Sequence, residues 1–370
     1  MCSSSLKVFS IGIYAFYGKV GDIVIKYLGS KRVLLPWIGE TVQKVSSQAS
    51  VIDLFSGTSR VGHFLKRLGY QVHSNDLNTY AYALAKCYVA SDWEEHQNKI
   101  PALLEEMQKL DPREGFFCKN YCVDARFFQP QNGARIDAMR DWIEEQNINE
   151  EERAILLVAL MEAADRVDST CGLQMAYLKK WAQRSYHDIE LRMPELLPRS
   201  VVGKGSATNM DALDAAKILS ADIAYLDPPY NQHKYLGNYH IWESLIRWDK
   251  PEVYGVARKR VDVKERVSPF NRKRQIQDAL KSVVDSLDVK HIIVSFNNEG
   301  YISKEEMIQI LSVRGDVCTL ENTHKRYVGA QIGIHNQDGE KVGAVSHTKN
   351  TEYLFVVSED KDVYSRLEIS

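Results

Sequence analysis

The chain has 370 residues, 44% hydrophobic and 26% charged, with a formal net charge of −2. That balance suits a globular protein with one large domain, or a core plus an inserted module, and it excludes disordered and collagen-like chains. The near-zero charge excludes a global positive field, so any nucleic-acid footprint must be local.

No apolar run approaches the ~18 residues of a membrane span. Phe9 to Tyr17 is apolar in places but lacks a basic flank and a cleavage site, which reads as mature protein of the cytoplasm. Six cysteines are scattered, and only Cys118 and Cys122 lie close together. That spacing predicts free thiols in a reducing compartment and no metal site.

Lys26 to Lys31 precedes an apolar helix over Val33–Ile38. Val51–Phe55 reads as a short strand that ends in the small-residue turn Ser56-Gly57-Thr58-Ser59. A helix over Arg60–Leu68 follows and stops at Gly69, then a strand over Tyr70–Ser74 ends at Asn75-Asp76. A second helix runs over Thr79–Val89, completing a β-α-β unit. From Val89 to Val201 the pattern turns helical, with segments Asp92–Leu110, Arg135–Gln146 and Glu150–Val167. Strand signals return near Val201, at Ile223–Asp227, at His291–Phe296 and at Tyr353–Val357, with a helix around Glu305–Leu311. The alternation predicts an α/β, Rossmann-like, doubly wound and mostly parallel sheet. Residues 20–90 and 200–360 form its catalytic domain, and 91–199 form a mainly helical insertion that is a candidate target-recognition region.

The turn after the first strand sets the ligand class. Gly57 lets a ligand approach the backbone closely, and Gly62 permits tight helix–strand packing. Asp76, ending the second strand, is placed to accept both ribose hydroxyls of a nucleoside. Ser59 stands where a pyrophosphate cradle would have its middle glycine, so a nucleoside without phosphates fits better. S-adenosyl-L-methionine is such a ligand. Asp211 has two compatible readings: acceptor for the cofactor's adenine amino group, or simply N-cap of the helix Ala212–Leu219. Lys31 is placed to meet the methionine carboxylate.

Asp227-Pro228-Pro229-Tyr230 follows the apolar strand Ile223–Leu226. A carboxylate, two rigid prolines and an aromatic ring at a strand's carboxyl end make a polar pocket with one flat wall. An aminated heterocycle fits there, donating from its NH2 to Asp227 and the Pro228 carbonyl and stacking on Tyr230. Further along, Lys250–Arg274 holds nine Lys and Arg against three acids. Such a local excess predicts contact with DNA phosphates, notably by Arg258, Lys259, Arg260, Arg272 and Lys273. Tyr235, Tyr239 and His240 are candidates near a flipped base or its flanking backbone, with packing of the following helix the alternative for Tyr239 and the expectation for Trp242.

These residues together resemble the Dam-like DNA adenine-N6 methyltransferases. Tyr27-Leu28-Gly29-Ser30-Lys31 is similar to the family's amino-terminal motif, Asp53-Leu54-Phe55-Ser56-Gly57-Thr58 to its cofactor loop, and Asp227–Tyr230 to its catalytic loop. Asn231–Tyr235 and Asn238-Tyr239-His240 extend the likeness toward a subgroup found in restriction–modification systems. Ser295–Gly300 and Glu352–Phe355 also look like family segments. The motif order is similar to the alpha arrangement, with target recognition between cofactor and catalytic loops. Residues 92–202 depart from the pattern and show no familiar target-recognition element.

The resemblance implies S-adenosyl-L-methionine held by Tyr27, Lys31, Asp53, Phe55, Gly57, Thr58, Asp76, Leu77, Asp211 and Ala212. It implies methyl transfer to adenine N6 in double-stranded DNA, carried by Asp227, Pro228, Pro229 and Tyr230, and a cognate restriction endonuclease as partner. Alternatives are methylation of cytosine N4, RNA adenine or a glutamine amide, or an inactive DNA-binding subunit.

Overall fold

The structure, a computed structural model, describes residues 25–232, 234–325, 334–335, 341–343 and 349–368. The apolar segment Phe9 to Tyr17 and Cys2 lie outside the described residues. Seven strands form the main sheet: β1 (Ser50–Asp53), β2 (Gln71–Asn75), β3 (Ser206–Thr208), β4 (Ile223–Leu226), β5 (His291–Asn297), β6 (Val317–Lys325) and β7 (Lys349–Ser358). Their spatial order is β3-β2-β1-β4-β5-β7-β6. The first five are parallel, and β7 runs antiparallel to both β5 and β6.

The central strands are apolar runs because both faces are covered. Every residue of β4 and β5 is buried. Alternation sorts their side chains. Ala224 and Leu226 pack with α7 (Ala212–Ile218) and α9 (Ile276–Ser286). Ile223 and Tyr225 pack on the other face with α1 (Leu35–Val45) and α2 (Arg60–Arg67). A third core gathers the insertion helices α4 (Ile100–Gln108), α5 (Pro130–Glu145) and α6 (Glu150–Arg166) around α3 (Thr79–Ala85) and α8 (His240–Arg247).

Some boundaries differ from the sequence reading. The strand expected near Val201 lies at Ser206–Thr208. The helix from Thr79 ends at Ala85 and continues as a π-helical turn over Lys86–Ala90. The segment from Asp92 splits in two, and Pro101 sits in the first turn of its second part, where a missing N–H costs nothing. The five described cysteines are free thiols. No described helix is long and apolar enough to cross a membrane.

Between β1 and β4 the chain order reverses, which opens a crevice at the strands' carboxyl ends. Asp53 pairs in register with Tyr225, two residues before Asp227. The close packing beneath this crevice depends on Gly62 in α2. A Cβ there would meet Ser74 Oγ at 2.9 Å, Val89 Cγ2 at 3.0 Å and Asp53 Oδ2 at 3.1 Å. Gly62→Ala gains about 1 kcal/mol of helix propensity but overpacks a buried contact, typically a cost of ~1–3 kcal/mol. We expect a net loss of stability, read as a lower urea midpoint with unchanged slope. A higher midpoint would show that α2 moves away freely.

Candidate active site

The crevice holds about 1180 Å³ of empty space, open to solvent, and its lining includes Tyr27, Lys31, Asp53, Phe55, Gly57, Thr58, Asp76, Leu77, Asp211 and Ala212. Asp227, Pro228, Pro229, Tyr230 and Tyr235 line it too. Residues from three distant stretches of sequence thus meet in one cleft.

On the β1–β2 side, Gly57 adopts φ +51°, and its amide donates to Asp76 Oδ2 at 2.9 Å. Asp76 Oδ1 accepts from the Asn78 amide at 2.9 Å and side chain at 3.2 Å. Oδ2, with one donor, keeps acceptor capacity, whereas both lone pairs of Oδ1 are engaged. Asp53 is 1% exposed, and its Oδ2 has no hydrogen-bond partner among the described residues. Burial, then the nearby Asp227 and Asp76 charges, push the Asp53 carboxyl up to about 8, against the pull of the Gly62 amide. Asp76 is also raised, chiefly by burial. Asp211 caps α7, its Oδ1 accepting from the Leu213 amide at 2.9 Å.

On the β4 side, Lys31 reaches the catalytic-loop candidate directly. Its Nζ lies 3.2 Å from Asp227 Oδ1 and 3.4 Å from Glu352 Oε2 on β7. The Lys31 ammonium therefore faces two carboxylates of the protein. Burial opposes its charge, but Asp227 and Glu352 outweigh that and hold it protonated well above the ordinary lysine range. Burial pushes Asp227 up to about 6, Lys31 restrains the rise, and Glu352 adds to it. The sign for stability follows. Between about pH 4 and 6 the folded carboxyl binds more protons than the unfolded one, so its contribution to stability falls as pH rises through that window.

Tyr230 is fixed as a wall. Its ring meets Phe296 edge-on at 5.4 Å, and its carbonyl accepts from the Tyr301 amide at 2.9 Å. Tyr27 forms a second aromatic element, stacked between Tyr235 at 5.2 Å and Tyr239 at 4.5 Å. Its hydroxyl lies 3.2 Å from that of Tyr80.

Several residues expected to meet DNA are instead engaged inside the protein. Tyr239 is fully buried, its hydroxyl accepting from the Leu28 amide at 2.6 Å. His240 is fully buried, with Nε2 3.0 Å from the Gln174 carbonyl, and burial lowers its pKa to about 3, so it carries no charge at neutral pH. Arg260 is 1% exposed and bidentate to Asp249 at 2.6 and 2.7 Å, with Asp262 at 3.0 Å. Arg258 is ion-paired with Asp124 of the insertion. Lys259 is half-buried, while Arg272 and Lys273 are exposed. Sequence reasoning misses Glu352, Lys234, Arg266 and Glu243. Arg266 lines the cleft and donates to the fully buried Glu243 at 2.7 Å, and exposed Lys234 stands at the cleft wall. Arg266 is visible in the sequence as one more cation of the basic run, and Lys234 and Glu352 fall inside segments that resemble the family without being singled out, whereas nothing local marks Glu243.

A family model for D12 class N6 adenine-specific DNA methyltransferases matches residues 27–310. The chain is 32% identical over 332 residues to the modification methylase StsI of Streptococcus sanguinis, covering 85% of this chain and 50% of that protein. It is 32% identical over 361 residues to the type II methyltransferase M.FokI of Planomicrobium okeanokoites, covering 91% and 53%. With M.NlaIII of Neisseria lactamica it shares 30% over 315 residues, covering 82% and 92%. The chain thus spans about half the length of the first two relatives and most of the third.

The basic run therefore divides into structural and exposed cations. Arg260→Ala strands a cluster of acids. Its partners are about a third exposed, so the cost should fall below the ~3–5 kcal/mol of a fully buried pair. We expect a clear drop in melting temperature. Replacing Arg272 and Lys273 with Ala should leave melting unchanged and make log K for duplex DNA less steep in log salt, by up to ~0.9 for each phosphate no longer neutralised. The opposite pattern would reverse the assignment.

Proposed function

The chain belongs to the D12 class of N6 adenine-specific DNA methyltransferases, and on that premise we propose that it methylates N6 of an adenine flipped out of double-stranded DNA, using S-adenosyl-L-methionine. The observation that carries this reading is the single cleft in which Asp227 stands at the end of β4 beside the Asp53–Gly57–Asp76 wall. The named relatives are a modification methylase and two type II methyltransferases, and we extend to this chain a restriction–modification role, with a cognate endonuclease, in the cytoplasm.

The cleft fits that donor, which supplies a methyl group on a sulfonium centre when bound. A cation with an ammonium group suits a pocket where Asp53, Asp76 and Asp227 repel one another or are starved of water. Asp53 Oδ2 offers a buried acceptor in need of a donor. Asp76 would hold the ribose hydroxyls, Asp211 the adenine amino group, and Tyr27, Phe55 and Leu77 the walls.

The remaining chemistry belongs to the catalytic loop. The adenine amine is a weak nucleophile because its lone pair is delocalised into the ring. Asp227 accepts one N–H and the Pro228 carbonyl the other, favouring a pyramidal nitrogen whose lone pair faces the methyl group. This is catalysis by positioning and electrostatics, without a covalent enzyme intermediate. The base must leave the duplex to arrive, and the fixed Tyr230 ring replaces its lost stacking. After transfer the amine is acidic and yields its proton to Asp227 or water.

Incubation with tritiated S-adenosyl-L-methionine and duplex DNA tests the reading. Label in N6-methyladenine after digestion supports it, label in N4-methylcytosine redirects it, and no label sinks it. Asp227→Asn keeps the shape but loses the charged acceptor. Its turnover should fall by about 10²–10³, the size seen when one such transition-state interaction is removed. Retention of a tenth of the activity would exclude the role.

Lys31 gives a pH prediction with a definite sign. Lys31 is the group that holds Asp227 down, so Lys31→Met leaves burial and Glu352 to raise that carboxyl above about 6. If ionised Asp227 is required, the acid limb of the kcat/KM profile moves to higher pH. An unmoved limb, with activity retained, would show that the limb reports another group.

A further inference from the structure

The last part of the insertion is mostly irregular chain, with one 3-10 turn over Gln183–Tyr186. Thr170 to His187 contains Lys179, Lys180 and Arg184, three large aromatic residues (Tyr177, Trp181 and Tyr186), and no acid. In a chain of net charge −2, this is a local cationic and aromatic surface of the kind that tracks a nucleic-acid backbone. Part of it is presented outward: Met175 is 51% exposed, Tyr186 is 57% exposed, and Lys179 and Lys180 are exposed, while Tyr177 packs edge-on against the buried Phe127. Arg126 lies 4.8 Å over the Trp181 ring and donates to the Lys179 carbonyl at 3.0 Å, adding a fourth cation.

Two sets of bonds fix this loop beside the proposed methyl-transfer pocket. The first is Gln174, which is 3% exposed. Its amide donates to the Asn238 carbonyl at 2.8 Å and its side chain accepts from the Ile241 amide at 2.8 Å, at the far end of the catalytic loop. The second is Asp168, also 3% exposed. Its Oδ1 accepts from Lys26 Nζ at 3.0 Å and from Arg184 Nε at 2.9 Å and Nη2 at 2.6 Å. Lys26 immediately precedes Tyr27 of the cleft wall. One buried carboxylate therefore ties the loop's Arg184 to Lys26, the neighbour in sequence of the cleft residue Tyr27.

We propose that Thr170–His187 is the element of the insertion that contacts target DNA, and that Asp168 is a positioning residue setting its register against the pocket. The inference rests on the proposed DNA methylation. Phosphate contacts come from Lys179 and Lys180, while the exposed Met175 adjoins the buried Gln174 anchor and is assigned the contact with the bases.

The test uses the full chain and two duplexes, one cognate and one differing by a single base within the methylated site. Asp168→Asn removes the shared charge at constant shape. It should raise KM for DNA and shrink the cognate to near-cognate ratio of kcat/KM at least tenfold, with calorimetric affinity for S-adenosyl-L-methionine unchanged. Lys179→Ala with Lys180→Ala, on exposed positions that carry no fold, should weaken both duplexes alike and flatten the salt dependence. Met175→Glu should lower the ratio further. Wild-type discrimination and salt dependence in the lysine pair and in Met175→Glu would overturn the proposal, even if Asp168→Asn proved unstable. Absence of methylation by the wild-type chain would instead overturn the reading beneath it.

Discussion

One buried ammonium organises the cleft. Lys31 stands between Asp227 at the end of β4 and Glu352 on β7, and it arrives from a segment in sequence far from both. Two carboxylates and one cation leave an excess negative charge in a place poor in water, an arrangement that does little for stability. Its effect lies elsewhere. It draws the amino-terminal motif over the strand ends, and it keeps Asp227 from rising as far as its burial alone would drive it. Removing either acid would leave Lys31 less reason to remain in place, so the cleft's shape and its electrostatics have the same source.

Much of the sheet is legible in sequence because central parallel strands are apolar on both faces. Ile223–Leu226 and His291–Asn297 announce themselves in that way. The polar residues at their carboxyl ends then fall where an open α/β sheet collects ligands. β6 escapes notice because an outer strand with the sequence Val-Cys-Thr-Leu-Glu-Asn-Thr-His-Lys has too few apolar residues to declare itself. The segments ending in Asp53–Thr58, Asp76 and Asp227–Tyr230 converge on one cleft, as their order along a doubly wound sheet requires.

The basic run misleads in part because sequence shows charge but not partners. Arg260 is two residues from Asp262 and eleven from Asp249, and only folding makes both its ligands. His240 and Tyr239 begin a helix in which every residue from His240 to Ile246 is buried. A helix closed in all round belongs to a core, and that pattern is present in the apolar and aromatic content of the segment.

The third core has a consequence for how such a molecule can change over generations. The insertion packs on α3, which follows Asp76, and on α8, which follows the Asp227–Tyr230 loop. A lineage that exchanged this module for another would have to alter the apolar faces of both helices at once. Small drift at the exposed positions of the Thr170–His187 segment, such as Met175, Lys179, Lys180 and Tyr186, avoids that difficulty, because those side chains face outward. Diversification is therefore directed to the surface of the module, while its scaffold is inherited together with the pocket.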